Sequence, residues 1–509
     1  MLAAALAAGA VLPAGYLLLA ALPVLTQGGW LAHFAATTLA HQALSSLAVA
    51  LEAAALAFAV GAVPAVLVSR FDFRGRGLVT MLALLPLLFA PSVSGNTWTV
   101  VFSHDFFVSR HGMAINLGLA TAPYVFVVFR VAASRMPRAF AELAAALGHG
   151  GTSRLLRVHL PLYAVPAAAA LMIVGAQAIG DYATAERLGI DTLSVGIHNL
   201  WLASQSSQVA AIVSTVLTVP AVALVAAAAW ASTSIMSQNP VPPAAAASAR
   251  RPLPAPAAAA LLAWCVGWSL PGFFVPEFFT VRWAMLRWQR TRFADIPADL
   301  LNTAATALAV ALLVFAVCAL AALLMRAGAR SRLAERMPWL FLLNYFLPPL
   351  VLALAFVMMS RDGSWLAEWL GPLRDTRLLV VVPVALRLMP FAMLPMLDAL
   401  RRTPSAMIDA ARTFGAGPVR ARAVAFAGHL APALWLGAAL VFLEAVKELD
   451  LSLTLQPFGY SSLALKIYAF SRFQNMDRAA VWVLLSQVLM LLPLALLWWR
   501  MARLDAVRL

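Results

Sequence analysis

Twelve apolar runs, six on each side of a polar proline-rich stretch, constrain this chain more than any other feature. Hydropathy places the runs at about 4–25, 46–69, 78–102, 113–133, 160–179 and 207–231, then at about 257–275, 300–325, 337–359, 378–398, 430–447 and 479–500. Each is close to the roughly 20 residues that an apolar helix needs to cross a bilayer. Between them lies Ser232-Thr-Ser-Ile-Met-Ser-Gln-Asn-Pro240, continuing to Pro254-Ala-Pro256, a linker composition. The expected organisation is a first transmembrane domain over 1–235, a cytoplasmic linker over 236–256 and a second transmembrane domain over 257–509.

Composition agrees. Of the 509 residues, 63% are apolar and 11% charged, less than half the usual share of charge. A mean hydropathy of +0.87 excludes both a soluble globular enzyme and a disordered chain. The expected fold class is an all-α polytopic membrane protein with about 12 transmembrane helices. The net charge of +15 is nearly all arginine. It marks loops on the cytoplasmic side of a bilayer and does not indicate nucleic acid as a partner. The two cysteines, Cys265 and Cys318, are far apart in apolar runs and define neither a disulfide framework nor a metal spacing.

The two sets of six runs keep register. Pro123 and Pro390, Gly148 and Gly415, and Asp181 and Glu448 are each separated by 267 positions. Six spans per unit bring both units into the membrane from the same side, so the repeat is parallel. In the first unit Arg70, Arg74, Arg76, Arg130, Arg135, Arg138, Arg154 and Arg157 fall on one side, and only Arg110 and Arg187 on the other. Both termini and the linker are therefore expected in the cytoplasm. The exception is Arg282, Arg287, Arg290 and Arg292 beside Trp283 and Trp288, on the opposite side. An interfacial helix and a docking surface for a soluble partner both fit that stretch.

Between the fourth and fifth spans each unit carries a long loop, 139–161 and 406–432. The first reads Ala141-Glu142-Leu143-Ala144-Ala145-Ala146-Leu147-Gly148, then nine residues, then Val158-His159-Leu160-Pro161. The second reads Ile408-Asp409-Ala410-Ala411-Arg412-Thr413-Phe414-Gly415. Each predicts a short helix with an acid at its start, favourable to the helix dipole, and a glycine that turns the chain at its end. Such a projection suits a groove on a cytoplasmic partner.

These loops resemble the signature of permease subunits of binding-protein-dependent ABC importers. The residues that match are Glu142, Ala144, Gly148, Leu160 and Pro161 in the first loop, and Asp409, Ala410, Ala411 and Gly415 in the second. In the second loop Ala425-Phe426-Ala427-Gly428 stands where aliphatic-x-Leu-Pro is usual. The resemblance implies two permease domains fused head to tail in a bacterial inner membrane. It further implies two cytoplasmic ATPase subunits that grip the loops and a periplasmic binding protein that delivers the solute. No Gly-x-x-x-x-Gly-Lys-Ser/Thr loop occurs, so ATP and Mg would be used by the partner, with no cofactor and no catalytic residue on this chain.

The segments after the fifth spans are most similar to the ferric-iron import family. They read Gln177-Ala-Ile-Gly-Asp181-Tyr182-Ala183-Thr184 and Glu444-Ala-Val-Lys447-Glu448-Leu449. Gln177 stands where that family usually has Glu. Thiamine, polyamine, phosphonate and sulfate permeases share the architecture and stay open as alternatives. A proton- or sodium-coupled secondary transporter is the alternative from another class. Charges in or beside spans mark a pathway by default, so Glu52, Asp181, Glu444, Lys447 and Glu448 are the candidates, the last three on one helical face. The prolines in spans (Pro91, Pro123, Pro348, Pro349, Pro390) are read as packing kinks, and no metal site is expected on this chain.

Overall fold

The computed structural model describes residues 2–25, 38–102, 105–135, 160–204, 251–291, 293–326, 340–361, 366–402, 405–417, 430–473 and 475–506, with 146–148, 150, 153, 157, 364 and 420–421. The expected span at 207–231 and the linker up to residue 250 lie outside these, as do Glu142, Ala144, Arg292 and Ala425 to Gly428.

The described chain is an all-α membrane protein. The first part contains α1 (Leu2–Leu25), α2 (Thr38–Arg70), α3 (Arg76–Leu84), α4 (Pro91–Phe102), α5 (Arg110–Arg135) and α6 (Leu160–Gly180). Two short helices, α7 (Tyr182–Leu188) and α8 (Leu193–Ser204), follow. After the linker come α9 (Ala255–Ser269), α10 (Val275–Arg287), α11 (Ile296–Arg326), α12 (Leu340–Phe346) and α13 (Pro349–Ser360). The chain continues through α14 (Leu378–Arg402), α15 (Ser405–Thr413), α16 (Ala431–Lys447), α17 (Asp450–Leu455), α18 (Leu463–Arg472) and α19 (Met476–Ala506). Among the described residues seven helices are long and apolar enough to cross a membrane, or nine if each of two bent pairs is one crossing. Helices predominate because a bilayer interior offers no water to satisfy backbone groups. A two-residue parallel pairing of β1 (Phe71–Asp72) with β2 (Arg251–Pro252) ties the end of α2 to the chain entering α9.

The two bent pairs correct the expectation of straight spans at 78–102 and 337–359. The helices of α3 and α4 meet at 86°, those of α12 and α13 at 109°. Pro91 opens α4 and Pro349 opens α13, each supplying no amide hydrogen and excluding the residue before it from helical geometry. These prolines break spans; they do not merely kink them. Pro123 and Pro390, in contrast, sit inside continuous helices.

Small residues set the closest helix contacts. On α2, Val49, Ala53, Ala57, Gly61 and Ala65 recur every four positions and are all buried, forming one face toward α5. A Cβ on Gly61 would lie 2.5 Å from the Ala122 carbonyl oxygen. Between α14 and α16, a Cβ on Gly437 would lie 2.4 Å from the Ala392 Cα. Lipid tails provide no hydrophobic drive between helices, so this close van der Waals contact is the main source of association.

The first helix of each part packs on the other part. Asn344 of α12 donates to the Ala10 carbonyl of α1 at 2.7 Å, and Tyr16 donates to Met358 of α13 at 3.4 Å. Reciprocally, Ser269 of α9 donates to the Leu82 carbonyl of α3 at 3.2 Å. The Arg/Trp stretch is not a separate interfacial helix. It is the end of one apolar helix running from Ala255 to Arg290 through a π-helical turn at Leu270–Phe274, with Arg287 paired to Asp477 of α19.

Candidate functional site

The helices α6 and α16 end against each other's partners and carry a polar seam between the two parts. Two turns there are built alike. At the end of α6, Asp181 caps α7: its carboxylate accepts the Thr184 amide at 2.7 Å and the Thr184 hydroxyl at 2.9 Å. At the end of α16, Glu448 leaves the helix at φ −66°, ψ 116°, and accepts the Leu451 amide at 3.0 Å. Each acid thus satisfies an amide three residues ahead, which an unpaired helix start would leave orphaned.

Arg387 of α14 lies at the centre and is 5% exposed. Its Nη1 donates to Glu448 at 3.0 Å, its Nη2 donates to Gln177 of α6 at 3.3 Å, and its guanidinium stands 5.8 Å from the Tyr345 ring centroid. Tyr345 in turn donates to the Ile173 carbonyl at 3.4 Å. One turn back on α16, Lys447 pairs with Glu444 at 2.6 Å, and Glu444 also accepts the Tyr124 hydroxyl of α5. Asp181 and Asp450 both lie within electrostatic reach of Arg387 and Glu448. Four carboxyl groups (Asp181, Glu444, Glu448, Asp450) therefore face two cations (Arg387, Lys447).

At the far end of the seam the parts meet again through α7 and α18. Tyr182 hydrogen-bonds Tyr468, Arg472 pairs with Glu186 at 3.5 Å, and Ala183, Leu449 and Tyr468 form a small apolar cluster. Burial, with Tyr468 beside it, pushes the Tyr182 hydroxyl well above its ordinary pKa, so it stays protonated. A small cleft lined by Glu448, Ser452, Thr303, Thr306, Tyr460 and Ser462 opens beside this end. Among the described residues no group of three or more His, Cys, Asp or Glu could hold a metal ion.

Of the expected pathway residues, Asp181, Glu444, Lys447 and Glu448 come together here. They are not on one helical face: Lys447 and Glu444 pair on α16, while Glu448 lies beyond the helix end and turns to Arg387. Glu52 is elsewhere, pairing from α2 with His111 at 2.7 Å and Arg110 at 3.6 Å at the start of α5. Arg387, Tyr124, Tyr345 and Asp450 were not among the sequence candidates. A lone arginine within the apolar run 378–398 was the available signal.

The loops at the other ends of α6 and α16 share a turn. Gly148 and Gly415 both have φ of +80°, a region that residues with a Cβ resist. At Gly415 the closure is complete: its amide donates to Arg412 at 2.9 Å and that of Ala416 to Ala411 at 3.0 Å, the paired bonds of a Schellman motif. Asp409 and Ala410 are exposed, Ala411 is half-buried, and Phe414 projects from the tip at 91% exposure. The helix begins at Ser405, so Asp409 is its fifth residue and not in its first turn as the sequence suggested. Leu160 and Pro161 form the exposed start of α6. No family model, no curated protein and no solved structure matches the chain.

Proposed function

We propose that the chain is the fused permease subunit of an ATP-driven importer, with two parallel six-helix units making twelve crossings of a bacterial inner membrane. The observation that carries this reading is the common turn at Gly148 and Gly415, each at φ +80° in the loop before a membrane helix, 267 positions apart. The order of elements supports the duplication: α5, α6, α7 and α8 correspond in sequence to α14, α16, α17 and α18. Two separate ATPase subunits hold the loops at 139–161 and 406–432 and supply ATP hydrolysis with Mg. Their closure moves the two units, and a periplasmic binding protein delivers the solute to the polar seam. The solute proposed is ferric iron, supported by the resemblance around Asp181 and Glu448.

The test replaces Gly148 and Gly415 separately by valine at matched membrane expression. Positive φ costs a β-branched residue about 1–2 kcal/mol and would tilt each loop helix away from its groove. Loss of ATPase co-purification and of vanadate-sensitive uptake is the expected result. If both variants assemble and import like the parent, the loops do not couple the chain to an ATPase.

A further inference from the structure

The seam is lopsided. Moved by 267 positions, Arg387, Glu444, Lys447, Glu448 and Asp450 fall on Ala120, Gln177, Gly180, Asp181 and Ala183. The second part therefore supplies both cations and three of the four carboxyls, and the first supplies a neutral amide and Asp181. Arg387 is where the parts are tied. It holds Glu448 of its own part at 3.0 Å with a charge-assisted bond, and Gln177 of the other part at 3.3 Å with a neutral acceptor. Both bonds have the charged guanidinium as donor, but the Glu448 carboxylate adds a Coulombic attraction in a buried site that the neutral amide lacks. The cross-part bond is the weaker of the two, so it yields first when the parts separate.

We infer that Arg387 is the latch of the seam: it stays with Glu448, releases Gln177 when the parts separate, and the neutral amide at 177 sets how readily it opens. This rests on the importer reading for its purpose, but not for its geometry. Arg387 is a positioning residue here, holding the closed arrangement and not a solute. A carboxylate at 177 would grip the guanidinium from both sides and tighten the latch, whereas alanine at 177 would remove the cross-part bonds that Gln177 makes to Arg387 and to Tyr345.

Solvent access to the seam tests this on the full chain without a solute or an ATPase. A Cys265→Ala, Cys318→Ala background with Ser452→Cys gives one reporter thiol, at a position 4% exposed and beside Glu448 in the small cleft. In lipid nanodiscs, a water-soluble maleimide should label Gln177→Ala at least about tenfold faster than the reporter parent, the ratio expected for one lost hydrogen bond to a charged group. Gln177→Glu should label more slowly than the parent. In an Arg387→Gln background Gln177→Glu should no longer label more slowly than Gln177, since the guanidinium it would grip is gone. A merely structural role for Gln177 would make both substitutions label faster. The latch is overturned if Gln177→Glu labels as fast as the parent or faster, or if Gln177→Ala leaves the rate unchanged; these two variants decide even if Arg387→Gln fails to fold. ATPase co-purification, measured on the same variants, reports on the importer reading alone.

Discussion

Tyr124 and Phe391, 267 positions apart in sequence, meet ring to ring with centroids 5.6 Å apart. Each follows the proline of a long helix, Pro123 in α5 and Pro390 in α14. The contact therefore marks where corresponding faces of the two helices approach. Phe391 also packs edge-on to Tyr345 at 5.4 Å, while the Tyr124 hydroxyl reaches Glu444. Aromatic contact and charged seam are continuous.

Tyr124→Phe keeps the ring pair and removes only the hydroxyl. Glu444 is then left with Lys447 as its partner, and the expected cost is about 1.5–3 kcal/mol, the range for a bond to a charged group. Phe391→Ala loses both ring contacts and leaves a void, for about 3–5 kcal/mol. Thermal unfolding of the purified protein should rank parent, Tyr124→Phe and Phe391→Ala in falling order. Equal midpoints for parent and Tyr124→Phe would mean that the hydroxyl does not stabilise the seam.

The helices were legible in sequence because their apolar runs are long and their small residues periodic. The breaks at Pro91 and Pro349 were not, because hydropathy averaged over a span is blind to a bend within it. Asp181, Glu444, Lys447 and Glu448 stood out as charges at span ends. Arg387 was equally visible as a charge within a span, but its contact with Gln177 bridges 210 positions, a distance no local pattern encodes. The shift of Asp409 into the middle of its helix has a similar origin. Ser405 and Ala406 extend the helix upstream of the signature residues, so motif and element boundaries differ.

Close helix contacts should be intolerant of any added side chain where backbone lies opposite. Gly437→Leu must displace Ala392 of α14, and Gly61→Leu must displace the Ala122 backbone of α5. Overpacking of this kind costs about 1–3 kcal/mol. Gly175→Ala, inside α6 where a Cβ would meet nothing within 4 Å, is the control and should melt no lower than the parent, since alanine favours a helix interior over glycine. A control that falls as far as Gly437→Leu would remove packing as the cause.

Asp299 is 2% exposed and anchors the start of α11 to its neighbours. It accepts the Trp482 indole of α19 at 2.9 Å and the Ser461 hydroxyl before α18. Asp299→Ala strands the buried Trp482 indole and the half-buried Ser461 hydroxyl, and should cost about 1–3 kcal/mol for the buried donor left unsatisfied. Asp299→Asn keeps an acceptor and should recover part of that loss. The comparison of melting temperatures checks both, and an alanine variant as stable as the asparagine one would contradict it.

If ferric iron is the solute, a deletion strain should grow normally in iron-replete medium and poorly under iron limitation, with rescue by the parent chain. The binding protein would hold ferric ion through hard oxygen ligands. On that reading the seam, with its excess of carboxyls over cations, would serve as a passage and the binding protein as the site of selection. Normal growth without iron, combined with lost uptake of thiamine or a polyamine, would reassign the solute and leave the importer reading intact.

Phe414 offers a sharper test of the loops than the glycines, because it touches little of this chain. It is 91% exposed at the tip of α15, immediately before Gly415. Truncating so exposed a side chain should change stability by no more than about 0.5 kcal/mol. An aromatic anchor at the centre of an interface, in contrast, commonly carries 2 kcal/mol or more of binding, at least about 30-fold in affinity. Phe414→Ala should therefore leave the melting temperature unchanged and sharply reduce ATPase co-purification. Asp409→Lys, on an exposed face in the second turn of the helix, should weaken association less, since the dipole acts mainly on the first turn. A Phe414→Ala chain that retains its ATPase at parental yield would show that the tip of this loop lies outside the groove.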